Sequence, residues 1–235
     1  MLRLSGVGKR FGNNWAIRDL DIEVERGKIF GFLGPNGAGK TTTIKMIAGL
    51  LRPTTGQIMV NGHDIVREPL MAKSVIGYIP DRGFLYEKLN GREFLHFVAS
   101  LHKMTPDDAK EKIDHLTETF SIKEILGELI EGYSAGMRQR LMFVSAMLHE
   151  PKVLLIDEPI IGLDPRGVRM LKDLLERLAQ NGITIFMATH SLLIAEELCS
   201  DIGIVNNGKL IASGTKEGLL NSGKGLEEFF LQVTE

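Results

Sequence analysis

The run Gly34-Pro35-Asn36-Gly37-Ala38-Gly39-Lys40-Thr41-Thr42 constrains this chain more than any other stretch. It matches the pattern G-x-x-x-x-G-K-[ST] at every fixed position. Its surroundings match too. Lys28-Ile29-Phe30-Gly31-Phe32-Leu33 before it reads as a buried strand, and after it Ile44, Ile47 and Leu51 recur at helical spacing until Pro53. A glycine-rich loop between a strand and a helix turns its backbone N–H groups inward around a polyphosphate. The helix that follows aims its positive end at the same anion. Lys40 is placed to neutralise the β- and γ-phosphates, and the Thr41 hydroxyl to ligate Mg²⁺. The expectation is a nucleoside triphosphate site lined by residues 34–42.

Composition narrows the class of protein. Of 235 residues, 26 are glycine, about 11% against the usual ~7%, which fits tight turns and backbone-to-phosphate contacts. Lys and Arg number 28 against 30 acidic residues. With no basic stripe or tail, nucleic acid is not expected as a partner. The single cysteine, Cys199, excludes an internal disulfide, suits a reducing compartment and reads as a packing residue. Met1-Leu2-Arg3-Leu4-Ser5 lacks the apolar core of a signal peptide. No apolar run approaches the ~18 residues that span a bilayer.

Periodicity divides the chain. Leu20, Ile22 and Val24 alternate with acids, as in a strand with one wet face, and Gln57–Val60 enters an Asn61-Gly62 turn. An antiparallel sheet is expected beside the phosphate-binding core. From about Asn90 to Glu150 the period is helical. Phe94, Phe97, Val98 and Leu101 form one stripe; Thr105-Pro106 starts a helix continued by Ala109, Ile113, Leu116 and Phe120; and Ser121 with Glu124 has the form of a capping box. Strand and helix then alternate again. Val153–Ile156 and Ile183–Ala188 read as strands, with a helix from Pro165 carrying Met170, Leu171, Leu174 and Leu178 between them. Asn207-Gly208 joins a final hairpin. The expected arrangement is one domain: an α/β nucleotide-binding core with its antiparallel sheet in residues 1–88 and 151–235, and a helical subdomain in residues 89–150.

Three further groups carry chemistry. Val153-Leu154-Leu155-Ile156 ends in Asp157-Glu158, and ligands gather at the carboxyl ends of parallel strands. Asp157 is expected to hold Mg²⁺, and Glu158 to polarise a water for in-line attack on the γ-phosphate. His190 follows the next strand at the same sheet edge and is a candidate γ-phosphate contact. Ser134 is a natural N-cap for a helix with Met137, Leu141, Val144 and Leu148 on one face, and Ala135-Gly136 allow close approach of a ligand.

The order of these parts resembles the ATPase subunit of ABC transporters: phosphate loop, helical insert, Ser-x-Gly helix start, Asp-Glu-Pro strand end, Gly162-Leu163-Asp164, then a histidine. The resemblance covers nearly the whole chain. It implies a P-loop NTPase (RecA-like) fold binding ATP and Mg²⁺. It also implies roles for individual residues. Ser134-Ala135-Gly136-Met137 would be the signature that contacts the γ-phosphate in trans, Asp164 the D-loop, Asp81 the Q-loop position, and Phe11 the ring stacked on adenine, with Trp15 as a rival. Tyr133, Ala135 and Met137 depart from the family's signature, and Asp81 stands where glutamine is usual. Asp81 is therefore expected to ligate Mg²⁺ or its water and to slow or retune hydrolysis.

The Tyr133–Arg140 and Gly162–Pro165 variants are most similar to those of bacterial ABC-2-type exporters. The resemblance thus implies two ATPase subunits, in a homodimer or heterodimer, paired head to tail. They would lie on the cytoplasmic face of the membrane and drive a separate permease that docks by the Asp81–Tyr86 loop, with Phe84, Leu85 and Tyr86 as contacts. A soluble ATPase of the same type and a regulatory nucleotide-binding module are the alternatives.

Overall fold

The computed structural model describes residues 1–81, 83, 85–158, 165–220 and 225–234, leaving aside the side chains of Pro165 and Arg166. Asp164, with Gly162 and Leu163, and Phe84 lie outside the described residues.

The chain opens with two antiparallel strands, β1 (Leu2–Phe11) and β2 (Asn14–Val24), and enters the short apolar β3 (Ile29–Leu33). The glycine loop leads from β3 into α1 (Lys40–Ile47). β4 (Thr55–Val60) and β5 (His63–Asp64) form the hairpin expected at Asn61-Gly62, and α2 (Pro69–Ser74) leads to β6 (Ile76–Ile79). Helices α3 (Gly91–Leu101), α4 (Pro106–Thr119) and α5 (Ala135–Met147) fill the interval before β7 (Val153–Asp157). Then follow α6 (Pro165–Gln180), β8 (Thr184–Thr189), α7 (Leu192–Leu198), β9 (Asp201–Asn206), β10 (Lys209–Thr215), α8 (Lys216–Leu219) and α9 (Leu226–Thr234).

These strands make two sheets. One is antiparallel, in the order β2-β1-β4-β5. The other runs β10-β9-β3-β8-β7-β6 and is parallel except where β10 pairs with β9. The parallel strands are buried on both faces, as strands joined by helical crossovers must be. Their side chains alternate between two cores. Phe30, Phe32, Val153, Leu155, Phe186 and Ala188 face α1 and the antiparallel sheet. Ile29, Leu154, Ile156, Ile185 and Met187 face α6, α7, α9 and the helical insert. Phe186 stacks on Phe30 with 5.4 Å between centroids, fixing the β3–β8 pairing from that side.

The antiparallel sheet has the wet and dry faces expected of it. Leu2 lies between Val24 and Val60, and Leu4 between Ile22 and Ile58, all buried. The helix starts at Thr105 and Ser134 carry the expected caps: Thr105 accepts from the Asp108 N–H and Ser134 from the Met137 N–H.

Three local expectations are corrected. Helix α3 buries Gly91, Phe94, Leu95 and Ala99, so the stripe is turned and Phe97 and Leu101 are exposed. Its start is fixed by a capping box at Asn90 and Glu93, and Phe97 meets Tyr86 edge-on at 5.4 Å. Ser121 does not cap a helix. It has φ +53° just beyond α4, its N–H bonds Glu118 O, and the single turn Lys123–Ile125 has no side-chain cap. In α6, Leu171, Leu175 and Ala179 form the buried row at i, i+4 and i+8, and Met170 is exposed. Cys199 packs at the end of α7, fully buried, and burial pushes its thiol up to about 12.

Candidate functional site

The phosphate loop is shaped by what lies behind it. A Cβ on Gly34 would stand 2.3 Å from Val205 O, and one on Gly39, at φ +110°, 2.4 Å from Ile17 Cδ1 and 2.7 Å from Ala16 O. Only glycine fits there. The β9–β10 turn braces the loop, with Gly208 N–H donating to Ala38 O at 3.2 Å and Arg18 N–H to Gly208 O at 2.8 Å.

Lys40 opens α1 and points back through the loop. Its ammonium donates to Gly34 O at 2.8 Å and Pro35 O at 3.2 Å, and lies 3.9 Å from Glu158 Oε1. Burial lowers its pKa, and Glu158 and Asp157 oppose the shift. The lysine is thus an almost enclosed cation held on carbonyls that an incoming phosphate can replace.

Asp157 ends β7 beside this ammonium and beside the Thr41 hydroxyl. It is 2% exposed, and its Oδ1 has no hydrogen-bond partner. Burial raises its pKa, Thr41 and Lys40 oppose the rise, and Glu158 and Asp81 add to it. A buried carboxylate oxygen without a donor, next to a hydroxyl, fits a hard cation that takes oxygen ligands. No cluster of three His, Cys, Asp or Glu exists among the described residues, so most of such an ion's ligands would come from phosphate and water.

Glu158 leaves the strand in a left-handed conformation, φ +52°, with its N–H on Ala188 O. That twist carries its side chain to the end of β8. There Oε1 lies 2.8 Å from His190 Nδ1, and Oε2 accepts from Thr189 Oγ1 at 3.0 Å and from His190 N–H at 3.4 Å. Thr189 also accepts from the Ser191 N–H at 3.1 Å. Lys40, Thr41, Asp157, Glu158 and His190 therefore gather at one sheet edge. Thr189, which sequence reasoning passed over, completes the hold on Glu158; its only signal was its place before His190.

A cleft of about 180 Å³ separates the two carboxylates from α5, with Asp81, Gly83, Gln139 and Met142 on its walls. Ser134 and Ala135 are exposed, and among the described residues no hydrogen bond or ion pair joins residues 134–137 to the phosphate loop. Phe11 is 52% exposed beside the Lys9 ammonium. Trp15 is partly buried over Gly8, with the Arg10 and Arg18 guanidinium groups 5.7 and 5.9 Å from its ring.

Residues 17–161 match the family model described as ABC transporter. The daunorubicin resistance ATP-binding protein DrrA3 of Streptomyces coeruleorubidus is 39% identical over 93% of this chain and 69% of its own length. The chain belongs to the ABC transporter family. It is of the ATP-binding subunit type, an ATPase. The linearmycin resistance ATP-binding protein LnrL of Bacillus subtilis (strain 168) is 35% identical over 93% of this ABC subunit and 70% of itself. A solved structure described as the ATP binding subunit of an ABC transporter superimposes with a TM-score of 0.92 at 31% identity, covering all of both chains. Among the described residues of this ABC subunit, no helix is long and apolar enough to cross a membrane. Members of the family work with membrane permeases.

Proposed function

We propose that this ABC ATPase hydrolyses ATP between two head-to-tail subunits and drives export through a separate membrane permease. The observation that carries the reading is the meeting of Lys40, the orphaned Asp157 Oδ1 and the His190-held Glu158 at one sheet edge. Phosphate oxygens would take the Lys40 N–H bonds from Gly34 and Pro35. Asp157 and Thr41, with Asp81 nearby, would hold Mg²⁺, which would supply neutralising charge for the phosphates. Glu158 accepts a proton as water oxygen bonds to the γ-phosphorus. The bond to the β–γ bridging oxygen breaks, leaving ADP and phosphate. His190 and Thr189 orient that carboxylate, and His190 is the γ-phosphate contact.

Ser134-Ala135-Gly136-Met137 serve the partner's ATP, a reading supported by the exposure of Ser134 and Ala135 and, among the described residues, by the lack of bonds from the four to their own loop. Asp164 takes the D-loop role that the family implies, and Phe11, half-exposed beside the Lys9 ammonium, stacks on adenine. The core of residues 1–88 and 151–235 grips the nucleotide, and residues 89–150 carry the signature. The permease docks at the exposed aromatic edge of Tyr86 and Phe97, on the cytoplasmic face of the membrane. Two relatives named for drug resistance support export.

Glu158→Gln tests the reading, because it keeps the shape of the side chain and removes the base. It should abolish turnover and accumulate an ATP-bound dimer in size-exclusion chromatography. A variant that binds ATP at saturation yet stays monomeric refutes the dimer.

A further inference from the structure

Arg138, on the first turn of α5, makes three directed bonds outside its own helix. Nε donates to Tyr133 O at 3.1 Å, Nη2 to Glu131 O at 3.1 Å, and Nη1 to Glu87 Oε1 at 2.8 Å. Its backbone N–H also donates to Ser134 O at 2.9 Å. Two of the three side-chain bonds hold the carbonyls just before Ser134, and the third reaches a segment 51 positions away. That segment carries the exposed ring of Tyr86, which rests on Phe97 and Phe94. Further bonds run alongside: Glu131 N–H to Glu87 O at 3.2 Å, Ile130 N–H to Leu89 O at 3.0 Å, and Lys88 Nζ to Glu131 Oε2 at 2.6 Å. Beside these bonds, the guanidinium joins the signature turn to the Tyr86–Leu89 segment through a rigid planar fork.

We infer that Arg138 is a positioning residue that ties the signature turn to Glu87, so that movement of the Tyr86 edge and placement of Ser134 against the partner's ATP are one event. The inference rests on the head-to-tail reading above. Lysine cannot reproduce it, because an ammonium lacks the fork that serves two carbonyls and a carboxylate together.

The test uses the full chain in the Glu158→Gln background, with Tyr86→Cys labelled by an environment-sensitive thiol dye. Cys199 is buried and will not compete for the dye. With Mg-ATP the parent should dimerise and its label should change signal. Adding R138K should leave ATP affinity by equilibrium dialysis within about twofold, weaken dimerisation by roughly tenfold and abolish the label's response. E87A keeps both carbonyl bonds of Arg138. It should dimerise within about threefold of the parent while its label response falls severalfold, the backbone bonds of residues 130 and 131 to this segment remaining. Parent-like dimerisation and label response in R138K, or an intact response in E87A, overturn the inference. So does R138K losing ATP affinity together with thermal stability, since that marks support of the fold alone. If the parent itself stays monomeric, the head-to-tail reading fails and takes this linkage with it.

Discussion

Asp157→Asn should make the nucleotide-free protein more stable while removing its response to Mg-ATP. The carboxylate is nearly fully buried and one oxygen has no donor. Burial is the largest cause of its raised pKa, ahead of the opposing Thr41 and Lys40. With its folded pKa above the unfolded value of 3.8, the native state holds a proton that the unfolded chain has released. Stability therefore falls as pH rises through that interval and stays low at neutrality. A buried polar group without a partner costs about 1–3 kcal/mol. Lost attraction to Lys40 offsets part of the relief, leaving a net gain of about 1–2 kcal/mol. For a chain of this size that is roughly 2–8 °C in Tm. The parent should gain about 2.7 kcal/mol with Mg-ATP at a hundred times Kd, and the asparagine variant should lose most of this. Thermal unfolding near pH 7.5 with and without Mg-ATP, Glu158→Gln being present to block turnover, reads both effects, and the gap between variants should close toward pH 4. An asparagine variant that melts below the parent without nucleotide would refute the idea that this site stores an unmet demand for a cation.

Phe11→Ala should weaken ATP binding by about tenfold, the worth of one stacked ring, and Trp15→Ala by much less; equilibrium dialysis with labelled ATP separates them, and the reverse order would reassign the adenine platform. Asp81→Gln removes a negative charge facing Asp157, so steady-state ATPase assays should show a faster turnover and a shifted Mg²⁺ optimum, and an unchanged profile would show that Asp81 is a spectator. His102 and His149 stack with centroids 4.1 Å apart, and burial lowers both pKa values; for His149, His102 and then Lys112 add to the effect and the hydrogen bond to Ile76 O opposes it. The fold favours their neutral forms, so the stability they contribute is present above the unfolded pKa of 6.5 and lost as pH falls through their folded values. Tm should drop as pH falls below about 6.5, and less so in His149→Gln.

The parts of the site that are contiguous in sequence were legible because local spacing alone sets their geometry. Residues 34–39 must form a loop between strand and helix, and Val153–Asp157 must present Asp157 and the following Glu158 at a strand end. Alternation at Leu20, Ile22 and Val24 likewise located the antiparallel sheet. What failed was decided by distant neighbours. The apolar residues of α3 permit more than one buried face, and only packing against α4 and α5 chose Leu95 and Ala99 over Phe97 and Leu101. Ser121 with Glu124 has the letters of a capping box, yet the C-terminus of α4 claims Ser121 first. Arg138 carried no local signal, because its carboxylate partner lies 51 residues upstream.

The two cores on opposite faces of the parallel sheet have a consequence for mutational tolerance. Ala38 and the helix behind Lys40 are rooted in one core, whereas Tyr133, Leu141 and Val144 are rooted in the other. Softening the first should blunt capture of the nucleotide but leave communication with the partner subunit sound, and softening the second should do the reverse. Defects of these two kinds should therefore sort by layer, and one substitution from each should combine additively.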